Sequence, residues 1–385
     1  MRFVHIAILL LSINVGYAQL DNKISIGQKD SIYSKILNES REIWVYLPQN
    51  YQAGYQYPVV YLLDGESFFH YCTGIISHLS DNSVIPQMIV VAIINTNRNR
   101  DLTPTQDSTS NTKPNGGGEI FISFLEKELI PYVESRYSTA PYRVIVGHSL
   151  GALLVVNILL NHTHLFNSYV ALDPALWWDS MKLINAAPKI LVEERFKDVT
   201  LFLAIANSLP QGMDSTQAKK DSTVYTLGIR SIFKFRDILE NINNHNLRWQ
   251  AKYYENEFHG SVPLIGSYDA LKFIFDFYKR PSFQKLTDST AIILENHYEK
   301  VSQKMKYKIL PPESDIHGLI WRSMALEKNY DRAFILLQMY LKLYPDSQRA
   351  YEDMAQYYAG MGDDENSKKY YDRAKQLSTI KEDKR

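Results

Sequence analysis

The 385-residue chain predicts an α/β fold: a mostly parallel central sheet covered by helices, followed by a small all-α region at the C-terminal end. Three observations predict it. Apolar, β-branched runs at 57–63, 88–94, 143–147, 168–172 and 199–206 alternate with helical patterns. Such continuous runs suit strands buried on both faces, and their alternation with helices means a parallel sheet. The run 144–147 passes through Gly147-His148-Ser149-Leu150-Gly151 straight into an apolar helical pattern. From about residue 285, beyond Pro281, the β-type runs stop and the rest reads as helix.

At the N-terminal end, Arg2, the apolar stretch 6–15 and Gly16-Tyr17-Ala18 read as a secretory leader cleaved after Ala18. The stretch is too short to span a membrane comfortably, and no other segment has eighteen consecutive apolar residues. A periplasmic or secreted protein without a membrane span is expected. Alternating residues in 19–46 predict antiparallel strands that open the sheet. The run 57–63 ends at Asp64-Gly65-Glu66. The polar loop 95–118 closes on Gly116-Gly117-Gly118, before a helix predicted from Glu119 to Tyr137. The strand and elbow helix come next, then strand 168–172, a Pro-Trp-Trp loop, a helical stretch and strand 199–206. A helix at 222–244, a short strand at 248–254 and a helix to about 279 complete the unit. The predicted division is a leader at 1–18, an α/β unit at 19–282 and a helical region at 283–385. Within the last, 313–378 is self-similar at about 34 residues, as in tetratricopeptide helical hairpins. Those helices offer a surface to a protein partner.

Composition excludes some functions. Lys plus Arg and Asp plus Glu number 42 each, and no long basic run precedes the C-terminus, so nothing marks a nucleic-acid partner. Cys72 is the single cysteine, so an intrachain disulfide is impossible. His162 and His164 are two residues apart, which does not place both on one helix face, and no metal site is expected. No cofactor is expected either. The 27 tyrosines include candidates for a carbohydrate- or aryl-accepting cleft.

The chemistry is carried by the strand–turn–helix around Ser149. Gly-x-Ser-x-Gly in this context is the nucleophile elbow of an α/β-hydrolase. The turn lifts the hydroxyl above the sheet, the flanking glycines avoid collision, and the Leu150 N–H faces the oxygen of a bound acyl group. Serine needs a base within hydrogen-bond reach, and the chain order in this fold is Ser, acid, His. His5 leaves with the leader, His70 and His78 precede the serine, and His297 and His317 lie in the helical region. Of His245 and His259, the latter follows a short strand and precedes Gly260 and a helix, where the base loop belongs. The acid is expected after strand 199–206: Asp214 first, then Asp221, with Glu255 and Glu257 as alternatives beside His259. A second oxyanion donor is expected from the turn after 57–63, where Gly65 lets the Glu66 N–H face the elbow. Arg98 and Arg100 follow a strand end on the active side and are candidates for binding an anionic substrate.

These segments together resemble a known esterase family. They are Tyr61-Leu62-Leu63-Asp64-Gly65, Arg98-Asn99-Arg100-Asp101-Leu102-Thr103-Pro104, Gly116-Gly117-Gly118, the elbow, Pro174-Ala175-Leu176-Trp177-Trp178-Asp179 and His259-Gly260-Ser261. The family includes ferric-siderophore esterases, S-formylglutathione hydrolase (esterase D), feruloyl esterases and antigen-85-type mycolyltransferases. The similarity spans about residues 24–280 and is greatest to the siderophore branch. It implies Ser149 as nucleophile, His259 as base and the Glu66 N–H as oxyanion donor. It also implies a substrate-facing Asp64, with Trp177 among the substrate-binding candidates. It leaves the acid open, because the siderophore branch lacks a clear one. The expected activity is ester hydrolysis through an acyl-enzyme, on a siderophore or on a carbohydrate-linked acyl group. Acyl transfer to a sugar or alcohol uses the same residues. A non-catalytic scaffold presenting its helices to a partner is the remaining alternative.

Overall fold

The computed structural model describes residues 24–382, apart from 50, 112 and 243–245. The leader predicted at 1–18 and His245 lie outside the described residues. Among the described residues, no helix is long and apolar enough to cross a membrane.

Eight strands form one sheet in the order β1-β2-β4-β3-β5-β6-β7-β8. β1 (Gln28–Ser34) and β2 (Glu39–Tyr46) pair antiparallel, and β2 runs antiparallel to β4 (Ile89–Ile93). β3 (Tyr57–Leu62), β4, β5 (Thr139–His148), β6 (Ser168–Leu172), β7 (Val199–Ala206) and β8 (Leu247–Tyr254) are parallel. β3, β4, β6 and β7 are buried along their whole length. That is why they read as unbroken apolar runs rather than alternating ones.

Helices cover both faces. α1 (Gly65–Asp81) follows β3, and the short α2 (Arg98–Leu102) lies inside the loop expected to be irregular. The single helix expected at 119–137 is α3 (Gly118–Phe124) and α4 (Ile130–Arg136), joined by one π-helical turn at Leu125–Leu129. α5 (Leu150–Asn161) follows the elbow and is buried along nearly its whole length, as its uniformly apolar sequence requires. α6 (Trp178–Ile190), α7 (Ser215–Lys220), α8 (Leu227–Asn241) and α9 (Val262–Ile274) complete the unit.

The helical region comprises α10 (Thr290–Met305), α11 (Glu313–Trp321), α12 (Tyr330–Leu343), α13 (Gln348–Gly360) and α14 (Asp364–Glu382). α12 and α14 begin 34 residues apart. Asn329 and Ser347 cap α12 and α13 by accepting from Arg332 N and Ala350 N. This region is not a separate bead. Leu294, Tyr298, Ile316, Leu336 and Tyr340 belong to the same buried cluster as Val60, Val90, Val144, Val170 and Phe202 from one face of the sheet. The Arg280–Asp315 ion pair, 2.9 Å, ties the end of the α/β unit to α11.

Candidate active site

The site lies where β3, β5 and β6 end. Ser149 follows β5 with φ 58° and ψ −115°, a conformation that only an over-determined turn imposes on a serine. Glycine is obligatory beside it: a Cβ on Gly147 would stand 2.4 Å from the Gly151 carbonyl carbon. The Ser149 N–H donates to Leu172 O at 3.0 Å, and Ser149 O accepts from Leu153 N and Ala175 N. The turn is thus pinned to β6 on one side and to its own helix on the other.

His148 pairs with Leu172 across β5 and β6. The next residue in each strand is therefore Ser149 and Asp173. Asp173 is left-handed (φ 44°) and 5% exposed. Its N–H donates to Ala204 O, and its Oδ1 accepts from Ala206 N at 2.9 Å, which aims Oδ2 away from β7. Oδ2 accepts from His259 Nδ1 at 2.6 Å. Because Nδ1 donates to a carboxylate, the neutral ring carries its lone pair on Nε2, the atom a general base uses.

The carboxylate paired with His259 is therefore Asp173, and the expected candidates are placed elsewhere. Asp214 is the N-cap of α7: its Oδ1 accepts from Gln217 N at 2.7 Å, and Gln217 Oε1 accepts from Asp214 N, a complete capping box. Asp221 accepts from the hydroxyls of Thr223 and Thr226, which hold its carboxyl below the usual range. Glu255 and Glu257 use backbone carbonyls, which accept from Asn207 Nδ2 (2.8 Å) and Asn207 N (2.7 Å). Those bonds fasten the His259 loop to the loop after β7. Asp173 stands between Ser149 and His259 in chain order and comes one strand earlier than the expected position of the acid. Its signal in the sequence is a lone carboxylate between the buried strand 168–172 and Pro174.

The oxyanion candidates occupy matching places. Leu150 is the first residue of α5 and Glu66 the second of α1. First-turn N–H groups have no acceptor within their own helix. The turn before α1 is set by Asp64, left-handed at φ 53°, and by Gly65, whose Cβ would meet Ala92 Cβ at 2.8 Å. The Glu66 carboxylate accepts from Asn95 Nδ2 at 2.9 Å.

The substrate-binding candidates Asp64, Arg98 and Arg100 also make pairs within the protein. The Asp64 carboxylate is buried and accepts from Arg98 Nε (2.7 Å), Arg98 NH2 (2.9 Å) and Asn95 Nδ2 (2.7 Å). Both its oxygens accept from the protein, and Arg98 also donates to His148 O at 3.3 Å. Arg100 donates to Glu39 and Asp101, while Asp101 also accepts from the buried Arg41. Arg98 thus braces the site, and Arg100 fastens α2 to β2. Trp177 remains 40% exposed beside the buried Trp178, whose indole N–H donates to Thr105 O at 3.0 Å.

A mostly parallel sheet with a strained serine at a strand–helix elbow and an Asp-paired histidine beyond the last strand defines an α/β-hydrolase. Comparison with known proteins narrows this. The family model described as "Putative esterase" matches residues 34–222. A crystal structure of an IroE-like serine hydrolase from Shewanella oneidensis is 32% identical, with a TM-score of 0.68, and the match covers 82% of this chain and 99% of that one. The chain belongs to this esterase family. Ferri-bacillibactin esterase BesA of Bacillus subtilis is 32% identical over 161 residues, 37% of this chain and 56% of that protein. Siderophore triacetylfusarinine C esterase of Aspergillus fumigatus is 27% identical over 153 residues, 36% of this chain and 50% of that protein. The chain thus spans about half the length of these curated relatives.

Proposed function

We propose that the protein is a serine esterase that cleaves carboxylic esters of siderophore type. The observation that carries the reading is the 2.6 Å Asp173–His259 contact, formed at the same sheet end as the strained Ser149. His259 Nε2 takes the Ser149 proton as Oγ attacks the ester carbonyl, and Asp173 stabilises the imidazolium that results. The N–H groups of Leu150 and Glu66 hold the oxyanion. The tetrahedral intermediate expels the alcohol, which takes the proton from His259, and water then releases the acid by the same steps. The siderophore-esterase relatives support the substrate class. The exposed Trp177 gives an acyl or aryl group an apolar surface. Export through the leader read at 1–18 belongs to the same proposal.

The test is hydrolysis of p-nitrophenyl acetate and of a panel of tri-catechol siderophore, hydroxamate siderophore, feruloyl and acetyl-xylan esters, by the wild type and Ser149→Ala. Preference for siderophore esters, lost in Ser149→Ala, is expected. Preference for the sugar-linked esters would move the substrate class. Equal rates in both proteins would end the serine mechanism.

A further inference from the structure

We infer that His148, the residue before the nucleophile, is a positioning residue for His259, acting through an N–H···O=C bond to the base's own main chain. The inference rests on the serine-esterase reading. His148 Nε2 lies 2.8 Å from His259 O. A carbonyl has no proton to give, so Nε2–H is the donor and the tautomer of His148 is fixed. Asp173 grips the His259 ring at Nδ1, and His148 grips the chain that carries it. A ring held at one nitrogen still swings with its backbone; a second hold at the carbonyl removes that freedom. The need is real, because His259 sits on a loop and its side chain is 49% exposed.

The ring of His148 is built in to do this. It is 9% exposed, its centroid lies 4.3 Å from that of the His259 ring, and it packs T-shaped with Phe68 at 5.6 Å. Burial, then the neighbouring His259, pushes His148 down to about 4. It therefore stays uncharged beside a base that becomes imidazolium during turnover, where a second positive ring would oppose that step. Its own carbonyl accepts from Arg98, which braces Asp64. Through side chain and main chain, this one residue joins the nucleophile turn, the base loop and the turn that carries Glu66.

Two substitutions separate the donor from the packing. His148→Gln keeps an N–H at similar reach, and His148→Phe keeps a ring and removes the donor. Steady-state kinetics on p-nitrophenyl acetate are read beside the downfield proton resonance of His259 Nδ1–H, with Ser149→Ala as control. His148→Phe is expected to lower kcat about 10- to 100-fold with KM within about threefold, since small misplacements of a catalytic group cost that much. Its Nδ1–H resonance should broaden away. His148→Gln is expected within about threefold of wild type, with the resonance retained. Near-wild-type kcat and a sharp resonance in His148→Phe would overturn the inference. So would greater damage in His148→Gln than in His148→Phe, which would assign the effect to ring packing. Failure of the wild type to cleave any ester would sink the esterase reading alone, because the resonance still decides whether His148 holds His259.

Discussion

Asp173→Asn is the substitution with the largest consequence for its size. The change is nearly isosteric, and Asn retains an oxygen to accept from Ala206 N, so the fold should survive. What is lost is the anion 2.6 Å from His259 Nδ1, at a residue 5% exposed and little screened by water. Opposite unit charges about 4 Å apart interact by about 4 kcal/mol at an effective dielectric near 20. That corresponds to roughly a thousandfold in rate when the imidazolium forms. An amide N–H turned toward the ring would also favour the wrong tautomer, which brings the expected loss in kcat to about ten-thousandfold. KM should move little. The assay is steady-state hydrolysis of p-nitrophenyl acetate, with thermal denaturation as the check on folding. Asp214→Ala, run beside it, should cost about 1 kcal/mol of stability through the lost N-cap and leave kcat alone. A folded Asp173→Asn enzyme with kcat within tenfold of wild type would refute the reasoning.

Individual residues carry further expectations. Ser149→Gly should abolish hydrolysis yet raise stability by about 1 kcal/mol, since φ 58° suits glycine; a destabilised variant in urea titration would contradict the strain. Removing the Arg98 guanidinium with Arg98→Met should cost roughly 2–4 kcal/mol, because the buried Asp64 is left partly unpaired; an unchanged melting temperature would count against the brace. His148, held at about 4 in the folded chain against an ordinary 6.5, takes up its proton more readily when unfolded. Stability should therefore fall as pH drops from 6.5 to 4, by up to about 3 kcal/mol, and His148→Gln should flatten that limb in urea titrations at each pH. Burial pushes the Cys72 thiol up to about 12, so the native protein should resist thiol reagents that label it once unfolded; rapid native labelling would oppose this.

The strands are legible in the sequence because β3, β4, β6 and β7 are buried on both faces, so their apolar runs are long and unbroken. The elbow is legible because a tight strand–helix turn admits few residues, and Gly147 leaves no room for a Cβ. The carboxylate proposed as the acid is not, because its place depends on register. Only when β5 and β6 align His148 with Leu172 does Asp173 fall beside Ser149. In the sequence it stands among Pro and Trp residues that read as a loop, while Asp214 has a loop setting that fits a triad but serves to start α7. The pairing of Asp64 with Arg98 joins residues 34 positions apart, and no local pattern records it. The helical region reads as a division of its own because helix periodicity reports an apolar face and not what covers it. In the fold that face shares a core with the sheet.

The central claim is that Ser149 is the nucleophile of an ester hydrolase. Its most direct measurement is mass spectrometry of the intact and digested protein after treatment with a fluorophosphonate. A single adduct on the peptide containing Ser149 is predicted, formed as hydrolysis is lost and absent in Ser149→Ala. Full inactivation with the adduct on another residue, or esterase activity that persists with Ser149 fully modified, would contradict it.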